Sequence, residues 1–329
     1  MKTRSRYPVF DYSRIKRYPL VTRKNRTRGE DLVWPERVRE TKSAFASRDL
    51  DAVARAVLDA RRTRKPILWM TGAHPLKCGF SPLMVDLMKR GFVSMFATNG
   101  AGTIHDFELA LIGETSEDVP DGLRSGTFGF SYETGRFMNL ALQHGNPKKL
   151  GYGESLGRLI SGEAFPKRVN FPNPDWSILH TGWKLGIPVT VHVTIGGDII
   201  HQHPEFDGEA VGGCSGRDFA IFAAHCEKLV RGGVIINIGS AVTNPEILLK
   251  AVSMCSNVGK PPRGIVTANF DFQPANLAHM RDERKPSYYH RDIKSIVTRI
   301  PQAFGGRGYY ICGDFLETVP ALYRKLVLK

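Results

Sequence analysis

From residue 66 onward the chain repeats one texture: a short, unbroken apolar run that ends at a glycine or small polar residue, then a stretch with helical spacing of apolar positions. The runs fall at 67–72, 92–98, 187–194, 234–238, 264–269 and 308–313, and each is apolar on successive rather than alternate residues. A strand that is apolar on both faces belongs inside a parallel sheet, where crossover helices cover it on each side. The stretches 83–88, 104–112, 219–230, 245–255 and 319–327 supply those helices. The predicted fold class is α/β, a doubly wound, mostly parallel sheet of the Rossmann type with helices on both faces. With 42% hydrophobic and 24% charged residues among 329, the chain can bury such a core. Its five cysteines form no C-x-x-C pair, which speaks against a zinc ribbon or a disulfide scaffold and for a reduced, cytoplasmic setting. No run approaches the roughly 18 apolar residues of a membrane span, so a soluble protein is expected.

The expected organisation is a basic N-terminal arm over 1–34 and a single α/β domain over 35–329, interrupted by a Gly-rich, aromatic insertion over 113–174 with short helices and functional loops. The net charge is +14, and the first thirty residues hold ten Lys/Arg against Asp11 and Glu30. These cations, Arg4 and Arg23 among them, alternate with Tyr7, Phe10, Tyr12 and Tyr18, a mixture able to neutralise phosphates and stack on bases. It is equally the composition of an arm that lies extended over its own subunit or a neighbour, anchored by its aromatics. A transit peptide is disfavoured by Pro8 and Pro19.

In an open parallel sheet the ligand crevice lies beyond the carboxyl ends of the strands. The candidate loops therefore contain Thr71 and Gly72, Thr98 to Gly102, Thr194 to His203, Gly239 and Ser240, Thr267 and Ala268 with Asp271, and Gly313 with Asp314. Asn99, Gly100 and Gly102 open a helix and are candidates for a phosphate cradle, although the pattern is not G-x-G-x-x-G and glycines there also serve strand–helix packing. Asp106 is either a helix-capping or a ligand-binding carboxylate. His192, His201 and His203 with Asp198 and Asp207 are the densest set of possible metal ligands, and the same groups commonly hydrogen-bond loop backbone. The stretch around Cys214 lacks a nucleophile elbow and reads as a glycine turn before the helix at 219.

The order of these motifs over residues 66–327 resembles the deoxyhypusine synthase family. The carrying stretches are Trp69-Met70-Thr71-Gly72, Thr98-Asn99-Gly100-Ala101-Gly102-Thr103 with Asp106, Gly197-Asp198-Ile199, Asn237-Ile238-Gly239-Ser240, Thr267-Ala268 with Asp271, and Cys312-Gly313-Asp314. The resemblance implies an NAD-binding parallel sheet in a homotetramer with active sites at subunit interfaces, and an N-terminal segment that reaches a partner's site entrance. It also implies NAD at the glycine loops and an amine substrate near Asp198 and Asp271. In that family a lysine holds an aminobutyl group as an imine. Here Arg299 stands in the lysine's place and Val297 in that of its neighbouring tryptophan, with Lys294 the replacement five residues earlier. A guanidinium is a poor imine nucleophile. A histidine of the family is missing too, since Val242 is followed by Thr243-Asn244-Pro245, and one polyamine-binding aspartate falls at Ile195.

The leading expectation is an NAD-dependent transferase or oxidoreductase acting on a polyamine-like amine, with Asp198, His201 and His203 as acid/base groups. The alternatives are a non-catalytic nucleotide-fold protein docked through its arm on nucleic acid or a larger assembly, and a metal-assisted hydrolase using His192, His201 and His203.

Overall fold

The computed structural model describes residues 6–41 and 44–328, so Lys2 and Arg4 of the arm lie outside the described residues. Eight strands follow in chain order: β1 (Asn25–Arg28), β2 (Ile67–Thr71), β3 (Met95–Asn99), β4 (Glu114–Glu117), β5 (Val189–His192), β6 (Val234–Ile238), β7 (Val266–Asp271) and β8 (Arg307–Cys312). Six form one sheet in the order β5-β3-β2-β6-β7-β8, and every neighbouring pair is parallel. Counted along the chain this is the dinucleotide-fold order 3-2-1-4-5-6. Consecutive strands grow outward to one edge from β2, and the chain then returns to continue from β6 on the other side. The direction reverses between β2 and β6, and the loops there diverge.

The apolar runs become strands because both faces have a layer to meet. Side chains alternate along a strand, so Leu68, Met70, Met95, Ala97 and Ile235 point to a layer containing Phe222, Leu248, Ile296 and Ile300. Ile67, Trp69, Phe96, Val234 and Ile236 point to the opposite layer, with Leu50, Val53, Val57 and Leu322. Trp69 keeps its indole satisfied by donating to the Phe92 carbonyl at 2.9 Å.

The structure corrects three boundaries. Phe92 and Val93 precede β3, because Gly91 takes φ +74° and the Phe92 N–H closes the preceding helix on Leu87. β7 runs to Asp271, since Phe270 and Asp271 continue the ladder against Ile311 and Cys312. The glycines around Cys214 lie inside the helix Gly208–Cys226, which Asp207 starts by accepting from the N–H groups of Glu209 and Ala210. There Gly213 makes room for Asn146, whose Oδ1 would lie 2.3 Å from an added Cβ. Cys214 is buried with its thiol toward the Leu142 carbonyl.

The arm and the insertion form one layer. β1 pairs antiparallel with β4, placing Thr27 opposite Thr115 and Asn25 opposite Glu117. Tyr18 exchanges backbone hydrogen bonds with Phe130 and Tyr132, and the Leu20 N–H donates to Glu133. Arg17 pairs with Glu205 at 2.6 Å, Arg23 with Glu108 at 2.5 Å and Arg26 with Asp118. The arm thus packs on its own chain, and a share of its positive charge is matched there. No helix of the described residues is long and apolar enough to cross a membrane.

Candidate functional site

At the reversal point the loops after β2 and β6 touch. The Gly72 N–H donates to the Ile238 carbonyl, and a Cβ on Gly72 would sit 2.2 Å from the Gly239 carbonyl oxygen, so only glycine allows this approach. Asn244 bridges the two loops: its Nδ2 donates to the Thr71 carbonyl at 2.9 Å and its N–H to Ser240 Oγ at 3.3 Å. The Thr71 carbonyl fixes which way the amide faces, and the buried Oδ1 is left without a partner. The helix Thr243–Asn257 begins here with no side-chain cap. Its free N–H groups and the Asn244 oxygen make this the open end of the crevice.

A second chain of amides runs sideways from the same point. The Ser240 carbonyl accepts from Asn237 Nδ2, which also donates to Asn269 Oδ1 at 2.6 Å, and Asn269 Nδ2 donates to Asp292 at 2.9 Å. Burial raises the Asp292 carboxyl, against the Asn269 bond. None of Asn237, Asn244, Asn269 and Asp292 was singled out from the sequence. Their signal was there for two of them, because an Asn inside an otherwise apolar strand is a polar group that must be paired.

The Asn99–Gly102 turn is occupied by the protein itself. Asn99 Oδ1 accepts from the Gly102 N–H at 2.9 Å. The Asp198 carboxylate accepts from the Ala101 N–H and lies against Gly100, where a Cβ would be 2.0 Å from Oδ2. Gly102 makes room in the same way for Thr98 Oγ1. The glycines thus admit a carboxylate and a hydroxyl where the sequence suggested a phosphate, and the uncapped start of Thr243–Asn257 is the freer anion position. Gly100→Ala is expected to displace Asp198 and lower the melting temperature, and Gly216→Ala, where nothing lies within 4 Å, is the neutral control.

Asp198 is pushed up to about 6 by burial, the Ala101 bond opposing. His201 accepts at Nδ1 from the N–H groups of Gly196 and Asp198, so Nε2 carries the ring proton. That buried Nε2 lies 4.0 Å from Asp198 Oδ2 and has no hydrogen-bond partner. These two are the predicted acid/base groups that the fold brings together.

The others go elsewhere. His203 donates from Nε2 to the Gly129 carbonyl at 2.8 Å and packs on Gly135 of the helix Tyr132–Gly145. His192 meets Thr190 and the edge of Phe222, and burial lowers it to about 4. Among the described residues no three His, Cys, Asp or Glu side chains are grouped to hold a metal ion, so the three histidines do not form the centre a metal-assisted hydrolase needs. Asp106 is buried and accepts from Ser177 Oγ at 2.5 Å and from the N–H groups of Ile178 and Leu179, capping the helix Ile178–Leu185. Burial lifts it to about 6 against those bonds.

Thr267 and Ala268 lie within β7, and Thr267 Oγ1 donates to the Ile296 carbonyl, so neither reaches the strand-end loops. Lys294 and Arg299 belong to the π-helical segment Ile293–Arg299 before β8, across the sheet from Asp198. Lys294 is buried with Nζ 3.5 Å from the centre of the Tyr288 ring, and burial, Arg299 and Arg291 lower its pKa. Arg299 is exposed and further toward the amino ends of the strands. Asp271 and Asp314 remain on the rim, where each accepts from the backbone two residues on. Gly313 precedes that last cap.

A cavity of about 240 Å³ opens beside Asp198, under the arm. Arg23, Lys77, His105, Glu108 and Glu117 line it with Asp198, around the apolar side chains of Ile104, Val119, Phe128 and Ile199.

No protein-family model matches the chain, and no curated protein matches it in sequence. Solved structures match its fold. AgrE in a ternary complex with ornithine and NAD+ shares 16% identity at a TM-score of 0.47, over 90% of this chain and 34% of that one. ArgZ, an arginine dihydrolase of the ornithine–ammonia cycle in cyanobacteria, shares 14% identity at 0.46, over 85% and 32%. A provisionally assigned deoxyhypusine synthase from Entamoeba histolytica shares 8% identity at 0.40, over 86% and 88%. The chain thus spans about a third of the length of AgrE and ArgZ. At these identities the likeness is one of fold.

Proposed function

We propose that the chain is an NAD-dependent enzyme that removes a hydride from a small amine-containing, polyamine-like molecule, with or without onward transfer of the oxidised group. The observation that carries this reading is the uncapped start of the helix Thr243–Asn257 at the β2/β6 reversal, beside the unpartnered Oδ1 of Asn244. That end of the crevice fits a dinucleotide, its N–H groups facing a pyrophosphate and its buried acceptor facing a donor on the ligand. Thr71, Gly72, Gly239, Ser240 and Asn244 would hold it, with Thr98 next to Thr71 at 3.5 Å between hydroxyls. NAD, when bound, supplies the hydride acceptor.

An ammonium group must lose a proton before a hydride can leave the adjacent carbon. Asp198, with its pKa near 6, is largely ionised at neutral pH and suited to take that proton. His201 directs its Nε2–H toward the carboxylate and holds the loop through Nδ1. Arg299 has no part in this scheme.

The test is cofactor content and response. Denatured protein should release NAD or NADH detectable by mass spectrometry, or the melting temperature should rise saturably with NAD, by the equivalent of about 2.7 kcal/mol at a hundredfold excess over Kd. Asp198→Asn should then slow turnover of the responsive amine. Absence of both nucleotide and shift overturns the reading.

A further inference from the structure

The cavity under the arm has a defined proton arrangement. Glu108 is 1% exposed, and its carboxylate accepts from Arg23 at 2.5 Å, from Thr134 Oγ1 at 2.8 Å and from Thr115 Oγ1 at 2.6 Å. A threonine hydroxyl has one proton, and that of Thr115 goes to Glu108. Thr115 Oγ1 therefore faces His105 Nδ1, 2.8 Å away, only as an acceptor, and Nδ1 must carry the ring proton. Burial, with Lys77 and Arg23 nearby, lowers His105 to about 4, so the ring is neutral at pH 7. Its Nε2 is a bare lone pair, and no donor among the described residues reaches it.

The charges are also unbalanced. Arg23 is matched by Glu108 and lies 3.7 Å from Glu117. Asp198 has no cationic partner among the described residues, since His201 beside it is held neutral by burial. The cavity wall thus offers a lone pair and an unmatched carboxylate, with apolar side chains between them. An ammonium has three donors and no acceptor, and it suits such a wall; a carboxylate ligand would meet Asp198 and a second acceptor.

We infer that this cavity receives the ammonium end of a small primary monoamine, with His105 Nε2 and the Asp198 carboxylate as its acceptors and Ile104, Val119, Phe128 and Ile199 around its carbon chain. Arg23, supplied by the N-terminal arm, is the positioning residue: it holds Glu108, which orients Thr115, which sets the His105 tautomer. The inference deepens the proposed function by placing the amine, and it does not depend on NAD.

The experiment is long-range 1H–15N correlation NMR on the full chain with 15N-labelled histidine at pH 7, without NAD, with His105 assigned by its loss in His105→Gln. The expected spectrum shows His105 protonated on Nδ1. n-Butylamine should move its Nε2 resonance saturably, and butyrate should leave it in place. Arg23→Gln should mix the two tautomers and weaken n-butylamine binding about tenfold or more. A wild-type His105 protonated on Nε2 overturns the inference, as does an Nε2 resonance that n-butylamine leaves unmoved or that butyrate moves equally. Because the wild-type spectrum decides these points, a variant that fails to fold leaves the test intact, and failure of the NAD experiment leaves it untouched.

Discussion

Replacing Arg23 with alanine is expected to destabilise the chain by about 3–5 kcal/mol, the usual cost of leaving a buried charge without its partner. The side chain of Arg23 is 6% exposed and that of Glu108 1%. Without the guanidinium, Glu108 would keep two hydroxyl donors but no positive charge, and Glu117 would lose its nearest cation. The loss would also loosen the arm where β1 begins, because Arg23 Nε is tied to Asn25 at 2.7 Å. Arg26→Ala is the control: that residue pairs with Asp118 in solvent, at 62% and 37% exposure, and should cost under about 1 kcal/mol. Urea denaturation of both variants and of Arg23→Met/Glu108→Leu separates pairing from arm docking. The double variant should recover much of the loss, because it removes both charges together. Equal effects from Arg23→Ala and Arg26→Ala would show that the buried pair does not anchor the arm.

The sheet was legible in the sequence for a physical reason. Runs such as Val234-Ile235-Ile236 can satisfy both faces only between two helical layers, and the parallel βα order follows from that burial. The arm's strand was not legible, since Asn25-Arg26-Thr27-Arg28 has no apolar alternation and becomes a strand only by pairing with β4, nearly ninety residues on. The site was legible at the level of loops but not of side chains. His105 and Asp106 are neighbours on one helix, and the sequence offers the carboxylate as the ligand candidate. The fold turns Asp106 toward Ile178, where it caps another helix, and turns His105 toward Thr115. Gly100 likewise suits a phosphate or a carboxylate equally well, and Asp198, ninety-eight residues later, decides between them. Such outcomes depend on contacts between distant segments, which spacing along the chain does not encode.

Asp218 gives the clearest expected dependence on pH. It lies buried on the helix Gly208–Cys226 and accepts from the backbone N–H groups of Gly153 at 3.0 Å and Val191 at 2.8 Å, with Tyr152 as a third donor. It thereby ties the start of the helix Tyr152–Ile160 to the edge strand β5, where Gly153 passes so close that a Cβ would be 1.7 Å from the Val189 carbonyl oxygen. Burial outweighs those bonds and lifts the carboxyl to about 7. A raised folded-state pKa means that the folded chain holds the proton more tightly than the unfolded one, so this contribution to stability is full below about pH 4 and is lost as the pH rises toward 7. His105 and His192, lowered to about 4 by burial, act in the opposite sense: their contribution is full above about pH 6.5 and is lost as the pH falls toward 4. Asp218→Ala should cost several kcal/mol, since three buried N–H groups lose their acceptor at about 1–3 kcal/mol each. Asp218→Asn should cost less, because one amide oxygen can still serve Gly153 and Val191, both of which reach the same carboxylate oxygen. The stability difference between the wild type and Asp218→Asn, measured by denaturant titration from pH 4 to 8, should be largest at the acid end and shrink toward neutrality. A difference that grows with pH would mean that the three N–H groups outweigh burial and that the native carboxylate, not the acid, is the stabilised form.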